Sequence, residues 1–412
     1  MQIIFIFTSI IGTLFFLLCK RRFDLFSLAY FSSLVYFLPA YFGFVYTIYG
    51  DKISLSSSTY IIMTILLSSL IISALLFDKV KVKKSIFKKI EGQHFFLTSL
   101  LLFSGLFIFL TLIGAEGLFK SEKKEIRDQL SYSFLLWGVT ASLGLIHSVI
   151  TKRKSYIIVF TLFLIVNLLI GNRTSIILAV MSIILFHFYR NGSKPIIQQV
   201  SVKKIFLILC FIYISFMGKI IYGSFNQGGI NSVVSNLFKW ENIERSFSNS
   251  EPFGRQLILE TIVQTNFNLD LNYVLILLVN FIPIPISIFG FNSGIFNEKF
   301  QTTLFPNADY GMAYNFWAEG YAIKGFFGIV IFILIYNIGI ALFNTMLQSD
   351  ISLINTVALL MGTYWTFYIH RNSMGTIFSF EKQIFFVAIG ALILSVILYI
   401  FNRGITKRVV DD

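Results

Sequence analysis

The sequence predicts an all-α integral membrane protein, a polytopic bundle of about 11–12 transmembrane helices, and three observations predict it. Of its 412 residues, 56% are hydrophobic and only 13% charged, with a mean hydropathy of +0.79. A water-soluble core of this size does not enclose so much apolar surface, so a bilayer is the solvent. Apolar stretches of roughly 20 residues recur along the chain, the length a helix needs to cross ~30 Å of hydrocarbon. They are continuously apolar and lack the alternation of a barrel strand, which makes helices the spanning form.

Eleven stretches are expected as spans: 3–19, 25–49, 59–77, 95–114, 132–150, 156–170, 175–189, 205–222, 325–347, 352–369 and 383–401. The first has no positive charge before it and Lys20-Arg21-Arg22 after it, the reverse of a secretory signal peptide. It is therefore expected to stay as a helix with its N-terminus outside.

The cations set the orientation of the rest. Alternate connections carry Lys20, Arg21 and Arg22; Lys79, Lys81, Lys83, Lys84, Lys88 and Lys89; Lys152, Arg153 and Lys154; and Arg190, Lys194, Lys203 and Lys204. The intervening ones carry Lys52, a mixed run from Glu116 to Asp128, and Arg173. A bias of about 16 cations to about 6 assigns the first set to the cytoplasm.

The segment after the eighth span, 223–324, then emerges outside as one large periplasmic loop with interfacial or re-entrant helices. Trp240-Glu241-Asn242-Ile243-Glu244-Arg245 and Glu251-Pro252-Phe253-Gly254-Arg255 have the amphipathic character of helices on a membrane surface. Tyr273 to Phe289 is apolar but contains Pro283 and Pro285. Reading it as re-entrant or interfacial keeps the basic tail Arg403, Lys407 and Arg408, and with it the C-terminus, in the cytoplasm. No internal repeat or soluble domain interrupts residues 1–412, which read as a single polytopic membrane domain.

Composition also excludes several classes. The net charge of +13 lies in short clusters between spans, which topology explains better than nucleic-acid binding. Cys19 and Cys210 each fall in an apolar stretch, and His94, His147, His187 and His370 are scattered, so neither a disulfide framework nor a metal set is expected. No phosphate-binding GxxxxGK loop, HExxH or dinucleotide fingerprint is present, and no cofactor is implied.

The residues that could carry chemistry fall on the outer side of this topology. Gly171-Asn172-Arg173-Thr174, Gly254-Arg255-Gln256 and His370-Arg371-Asn372 each bring a cation there, and Arg245 joins them. An arginine at a membrane boundary also has an ordinary use in snorkelling to headgroups. A guanidinium fork, however, matches phosphate oxygens at two points and never loses its charge. Arg173, Arg245, Arg255 and Arg371 are therefore the candidates for a lipid diphosphate.

A second cluster runs from Phe305 to Tyr310 and from Phe316 to Gly325. Here Asp309, Tyr310 and Trp317 are candidate sugar contacts, because rings pack on C–H faces and acids accept hydroxyl protons. An interfacial aromatic belt has the same composition. Glu319, a carboxylate at a span entrance, is a candidate general base or a clamp for one of the arginines, and His370 is a second candidate proton acceptor. A lone histidine is more often packed and hydrogen-bonded.

This layout resembles the O-antigen and capsule repeat-unit polymerases known as the Wzy family. The likeness rests on the many spans, Gly171-Asn172-Arg173-Thr174 opening a span, the arginines of one long outer loop, the Phe281-Ile282-Pro283 stretch, and Asn315 to Gly328 leading into a later span. It covers roughly the second half of the chain together with residues 167–190. The resemblance implies a GT-C-like fold and an inverting, metal-independent glycosyltransferase at the periplasmic face of the bacterial inner membrane. Undecaprenyl-diphosphate-linked oligosaccharides would be both donor and acceptor, with a chain-length regulator and a flippase as partners. It places the lipid diphosphate on Arg173, Arg245 and Arg255, with Arg371 as a further contact. Related O-antigen ligases carry a histidine in the large outer loop, whereas 223–324 has none. Many relatives carry an arginine after Phe-Ile-Pro, where this chain has Ile284 and Pro285. Beside the polymerase stand a ligase-like transferase, a flippase for the same lipid-linked sugars, and a membrane scaffold whose arginines hold headgroups.

Overall fold

A computed structural model describes residues 1–79, 93–114, 132–170, 172–190, 192, 195–199, 217, 224, 229–248, 250–280, 296–308, 312 and 314–411. In chain order these form α1 (Gln2–Leu18), α2 (Leu25–Tyr36), α3 (Leu38–Phe42), β1 (Phe44–Tyr46), β2 (Lys52–Ser54), α4 (Ser57–Lys79), α5 (Gln93–Gly114), α6 (Tyr132–Ile150), α7 (Lys154–Ile170), α8 (Arg173–Arg190) and α9 (Ile196–Gln199). There follow α10 (Trp240–Ser248), α11 (Glu251–Thr265), α12 (Leu271–Asn280), α13 (Phe296–Leu304), α14 (Phe316–Leu347), α15 (Ser352–Thr363) and α16 (Met374–Asp411). The expected span at 205–222, the Phe281-Ile282-Pro283 stretch and the candidates Asp309 and Tyr310 lie outside the described residues, apart from Met217.

Among the described residues six helices are long and apolar enough to cross a membrane: α4, α5, α6, α8, α14 and α16; α1, α2, α7 and α12 are shorter apolar helices. The protein is thus a helical membrane protein. α1 shows why such helices need lipid. Ile3, Phe7, Ile10, Leu14 and Leu18 form an exposed apolar face, while Phe5, Ser9, Gly12 and Phe16 turn inward. A face of that kind is stable against hydrocarbon and costly against water.

The described residues fall into two compact units. One comprises those of Met1–Lys79, Asn191–Ile338 and Thr366–Thr376; the other comprises those of Val80–Arg190, Gly339–Trp365 and Ile377–Asp412. The second unit is built around α6, whose side chains from Trp137 to Ser148 are buried against α5, α7, α8 and α15. His147 of α6 pairs its Nδ1 with Thr356 Oγ1 at 2.9 Å, so this lone histidine holds two helices together.

The first unit carries the only two strands among the described residues. β1 and β2 form an antiparallel ribbon with Val45 opposite Ile53. Its charged edge is tied to α10 by Lys52 Nζ and Tyr46 Oη, each donating to Glu244 Oε1 at 3.2 Å. Aromatic side chains of the ribbon, Phe44 and Tyr46, gather on Phe253 of α11.

α14 is not one straight rod. Lys324 and Gly325 leave helical geometry, Gly325 with φ 58°, and the chain reverses there. Residues 316–323 fold back along 326–336, which brings Phe316 to Phe332 and Trp317 to Tyr336 at ring distances of 4.6 and 5.4 Å. A β-carbon added at Gly328 would lie 2.0 Å from the Gly320 carbonyl oxygen, so only glycine permits this approach. The carbonyl of Ala322, freed by the break, accepts from Leu269 N at 2.8 Å.

Candidate functional site

The site grows from the first turn of α11. Ser250 is extended, Glu251 and Pro252 open the helix, and a carboxylate in that turn is favoured by the helix dipole. Glu251 and Arg255 are four residues apart, hence neighbours on one face. Arg255 Nη2 donates to Glu251 Oε1 at 3.3 Å.

Arg371 reaches the same carboxylate from a distant part of the sequence. After α15 the chain makes a π turn at Tyr364–Tyr368 and a 3₁₀ turn at Ile369–Arg371. Such irregular turns re-aim the side chains that follow. The Arg371 guanidinium lies 5.1 Å from the Tyr368 ring centroid. Its fork grips Glu251 at two points, Nε to Oε1 at 3.0 Å and Nη1 to Oε2 at 3.1 Å. The Tyr36 hydroxyl adds a bond to Oε1 at 3.4 Å.

Two guanidiniums thus share the Glu251 carboxylate. Arg255 is the enclosed member, its side chain 11% exposed against 33% for Glu251 and 34% for Arg371. Its Nε is buried without a hydrogen-bond partner among the described residues. Burial pushes the Arg255 guanidinium below its ordinary value, while Glu251 pulls it back up. The backbone of Arg255 is fixed as well, since Asn315 Nδ2 donates to its carbonyl at 2.7 Å. The Asn315 side-chain oxygen meanwhile caps α14, accepting from Trp317 N and Ala318 N at 3.0 and 3.2 Å.

His370, next to Arg371, is enclosed. Its ring stacks on Tyr36 at 5.0 Å, and both nitrogens are engaged: Trp317 Nε1 donates to Nδ1 at 2.9 Å, and Nε2 lies 3.2 Å from Ser33 Oγ. An acceptor Nδ1 assigns the proton to Nε2, which donates to Ser33, whose own hydroxyl donates to Ala29 O at 2.7 Å. Burial depresses the imidazole to about 3. His370 is a neutral connector rather than an open base, and Trp317, fully buried, offers no free face to a sugar.

Glu319 is also fully buried. One oxygen accepts from the Tyr273 hydroxyl, and the other accepts from Met374 N at 2.7 Å. It thereby holds the first turn of α16, a favourable place for a negative group. Neither partner is an arginine, and the general-base role has no open approach among the described residues.

Of the four expected arginines, the structure brings Arg255 and Arg371 together. Arg245 stands exposed on α10 in the same unit, and Arg173 stands exposed at the start of α8 in the other. Asn172 precedes Arg173 as a cap, its Oδ1 accepting from Thr174 N at 3.2 Å. Beside α13 a cleft of about 250 Å³ is lined by Asn297, Glu298, Gln301, Thr302 and Phe305.

No protein-family model, curated protein or solved structure matches the chain.

Chemically, the Glu251 cluster is an anion-binding arrangement already holding an internal anion. The residues that complete it, Glu251 and Asn315, did not stand out from sequence. The four-residue spacing of Glu251 and Arg255 was a signal for the first. An Asn directly before Phe316-Trp317-Ala318 was a helix-start signal for the second.

Proposed function

We propose that the chain is a glycosyltransferase of the polymerase type, joining undecaprenyl-diphosphate-linked oligosaccharide repeat units into O-antigen or capsular polysaccharide at the periplasmic face of the inner membrane. In this reading the bundle is GT-C-like, 223–324 is the periplasmic loop, the N-terminus is outside and the C-terminus cytoplasmic. The observation that carries it is the convergence of Arg255 and Arg371 on one half-buried carboxylate. Paired guanidiniums suit a diphosphate, and the diphosphate is the leaving group of transfer from such a donor. Positive charge held there stabilises the bond-breaking transition state more than the ground state. The cleft beside α13, with amide, carboxylate and hydroxyl groups next to a phenylalanine, suits a saccharide.

The test is purified protein in lipid with a defined polyprenyl-diphosphate-linked repeat unit and no nucleotide sugar. Growth of a ladder is expected, and Arg255→Ala is expected to abolish it. Wild-type protein that leaves the repeat unit unchanged, or a variant that makes normal ladders, overturns the reading.

A flippase for the same lipid-linked sugars is the alternative; transporters of that kind are usually built from two similar halves, and this sequence shows no such repeat. Gene deletion separates the two: loss of a polymerase leaves single repeats exported, and loss of a flippase leaves none.

A further inference from the structure

We infer that Glu251 is the proton acceptor of the transfer reaction, held inactive by Arg255 and Arg371 until the donor diphosphate takes its place; the inference rests on the polymerase reading. Three observations lead there. First, among the described residues, the two other candidate proton acceptors are engaged: Glu319 by Tyr273 and Met374, His370 by Trp317 and Ser33. Second, Glu251 keeps a third of its side chain exposed, so an incoming hydroxyl can reach it. Third, Glu251 occupies both arginines in the manner of a bound phosphate, with one oxygen shared by the two guanidiniums and the other in the Arg371 fork.

Both Glu251 oxygens are engaged by guanidinium N–H groups, so the carboxylate is not free to take an acceptor hydroxyl. A lipid diphosphate brings more charge and more acceptor oxygens to the same donors, including the buried, unpartnered Arg255 Nε. As it engages them, Glu251 loses its cationic partners while its backbone stays anchored in the first turn of α11. Its Tyr36 contact is not cationic and can remain. With its oxygens released, Glu251 is free to accept a hydroxyl proton.

The step then balances. The acceptor hydroxyl oxygen forms a bond to the anomeric carbon of the donor sugar as the bond from that carbon to the diphosphate oxygen breaks. The electron pair leaves with the diphosphate, which the arginines hold, and the hydroxyl proton passes to Glu251, then to water. Base activity therefore depends on donor binding, so an acceptor hydroxyl loses its proton only when a leaving group is in place.

The experiment compares wild type, Glu251→Gln and Glu251→Asp for binding of a farnesyl-diphosphate-linked repeat unit and for chain growth. Glutamine matches the shape, keeps a carbonyl for the arginines and carries no net charge. It is expected to bind the donor as tightly as wild type or a few-fold more tightly, while turnover falls by about 100-fold or more. Aspartate keeps the charge and is expected to retain part of the turnover, with the acid limb of its pH–rate profile, which glutamine loses. Near-normal turnover in Glu251→Gln overturns the inference, as does donor binding weakened more than about ten-fold, since the carboxylate would then be only an arm that holds the arginines. If wild type binds no diphosphate at all, the polymerase reading itself falls.

Discussion

Two arginine clusters in the same unit have opposite charge balances. Around Arg21, one guanidinium meets two carboxylates: Nη2 to Asp24 Oδ2 at 3.1 Å and Nε to Asp78 Oδ2 at 3.0 Å, with Nη1 donating to Ser27 Oγ at 2.9 Å. Its side chain is 5% exposed, and the Phe16 ring covers it at 5.0 Å. Around Glu251 the ratio is reversed: two guanidiniums share one carboxylate, and a buried donor is left over. The first cluster is closed and joins α4 to the turn before α2; the second keeps a buried donor, Arg255 Nε, with no partner among the described residues. Burial alone does not distinguish a structural arginine from a binding one. The inventory of partners does.

The largest test of that contrast is Arg21→Ala. It takes the cation from Asp24, which is buried, and from Asp78, and is expected to cost about 3–5 kcal/mol, read as a fall in the thermal midpoint of the purified protein. Donor binding by the folded fraction should be unchanged. A lost binding site with normal stability would reverse the assignment of the two clusters.

Arg371→Lys sharpens the comparison next. Lysine keeps the charge and loses the planar fork, and donor affinity is expected to drop about ten-fold with a small change in stability. Full retention of affinity would mean that bulk charge, not two-point recognition, holds the ligand.

A smaller effect follows from His370. Its folded value of about 3 lies below that of the unfolded chain, so the unfolded state takes up the proton first on acidification. Stability is therefore expected to be full above about 6.5 and to fall as pH drops from there toward 3, by about 2 kcal/mol at pH 5. His370→Gln should flatten that slope in thermal unfolding measured from pH 7 to 5. The smallest effect is expected from Lys52→Ala. Its bond to Glu244 is on the surface, and no measurable change in thermal midpoint or donor binding should follow.

Sequence alone made the helical membrane character plain, because apolar length and composition are properties of local segments. It also singled out Arg255 and Arg371, since a fixed charge near a span demands a reason. It placed less well the residues whose role depends on what packs against them. Lys20-Arg21-Arg22 read as a topology signal, yet Arg21 is a buried anchor whose partner Asp78 is far away in sequence. Glu319 and His370 read as candidate proton acceptors and Trp317 as a candidate sugar contact, and once buried all three need partners. Nothing local said that Tyr273, Met374 and Ser33 would supply them and leave no opening for substrate. Glu251 read only as part of a surface helix, since a glutamate at a helix start looks ordinary until a second arginine arrives from residue 371.

The backbone contact between Gly320 and Gly328 bears on kinship. Ile3, Phe7 and Leu14 are exposed apolar side chains, and such positions can exchange one oily side chain for another at little cost, so overall likeness between distant cousins fades quickly there. The hairpin tolerates no such drift, because any methyl group at position 328 collides with a carbonyl. Ancestry in chains of this kind is better read from that glycine interval than from the bulk of the spans.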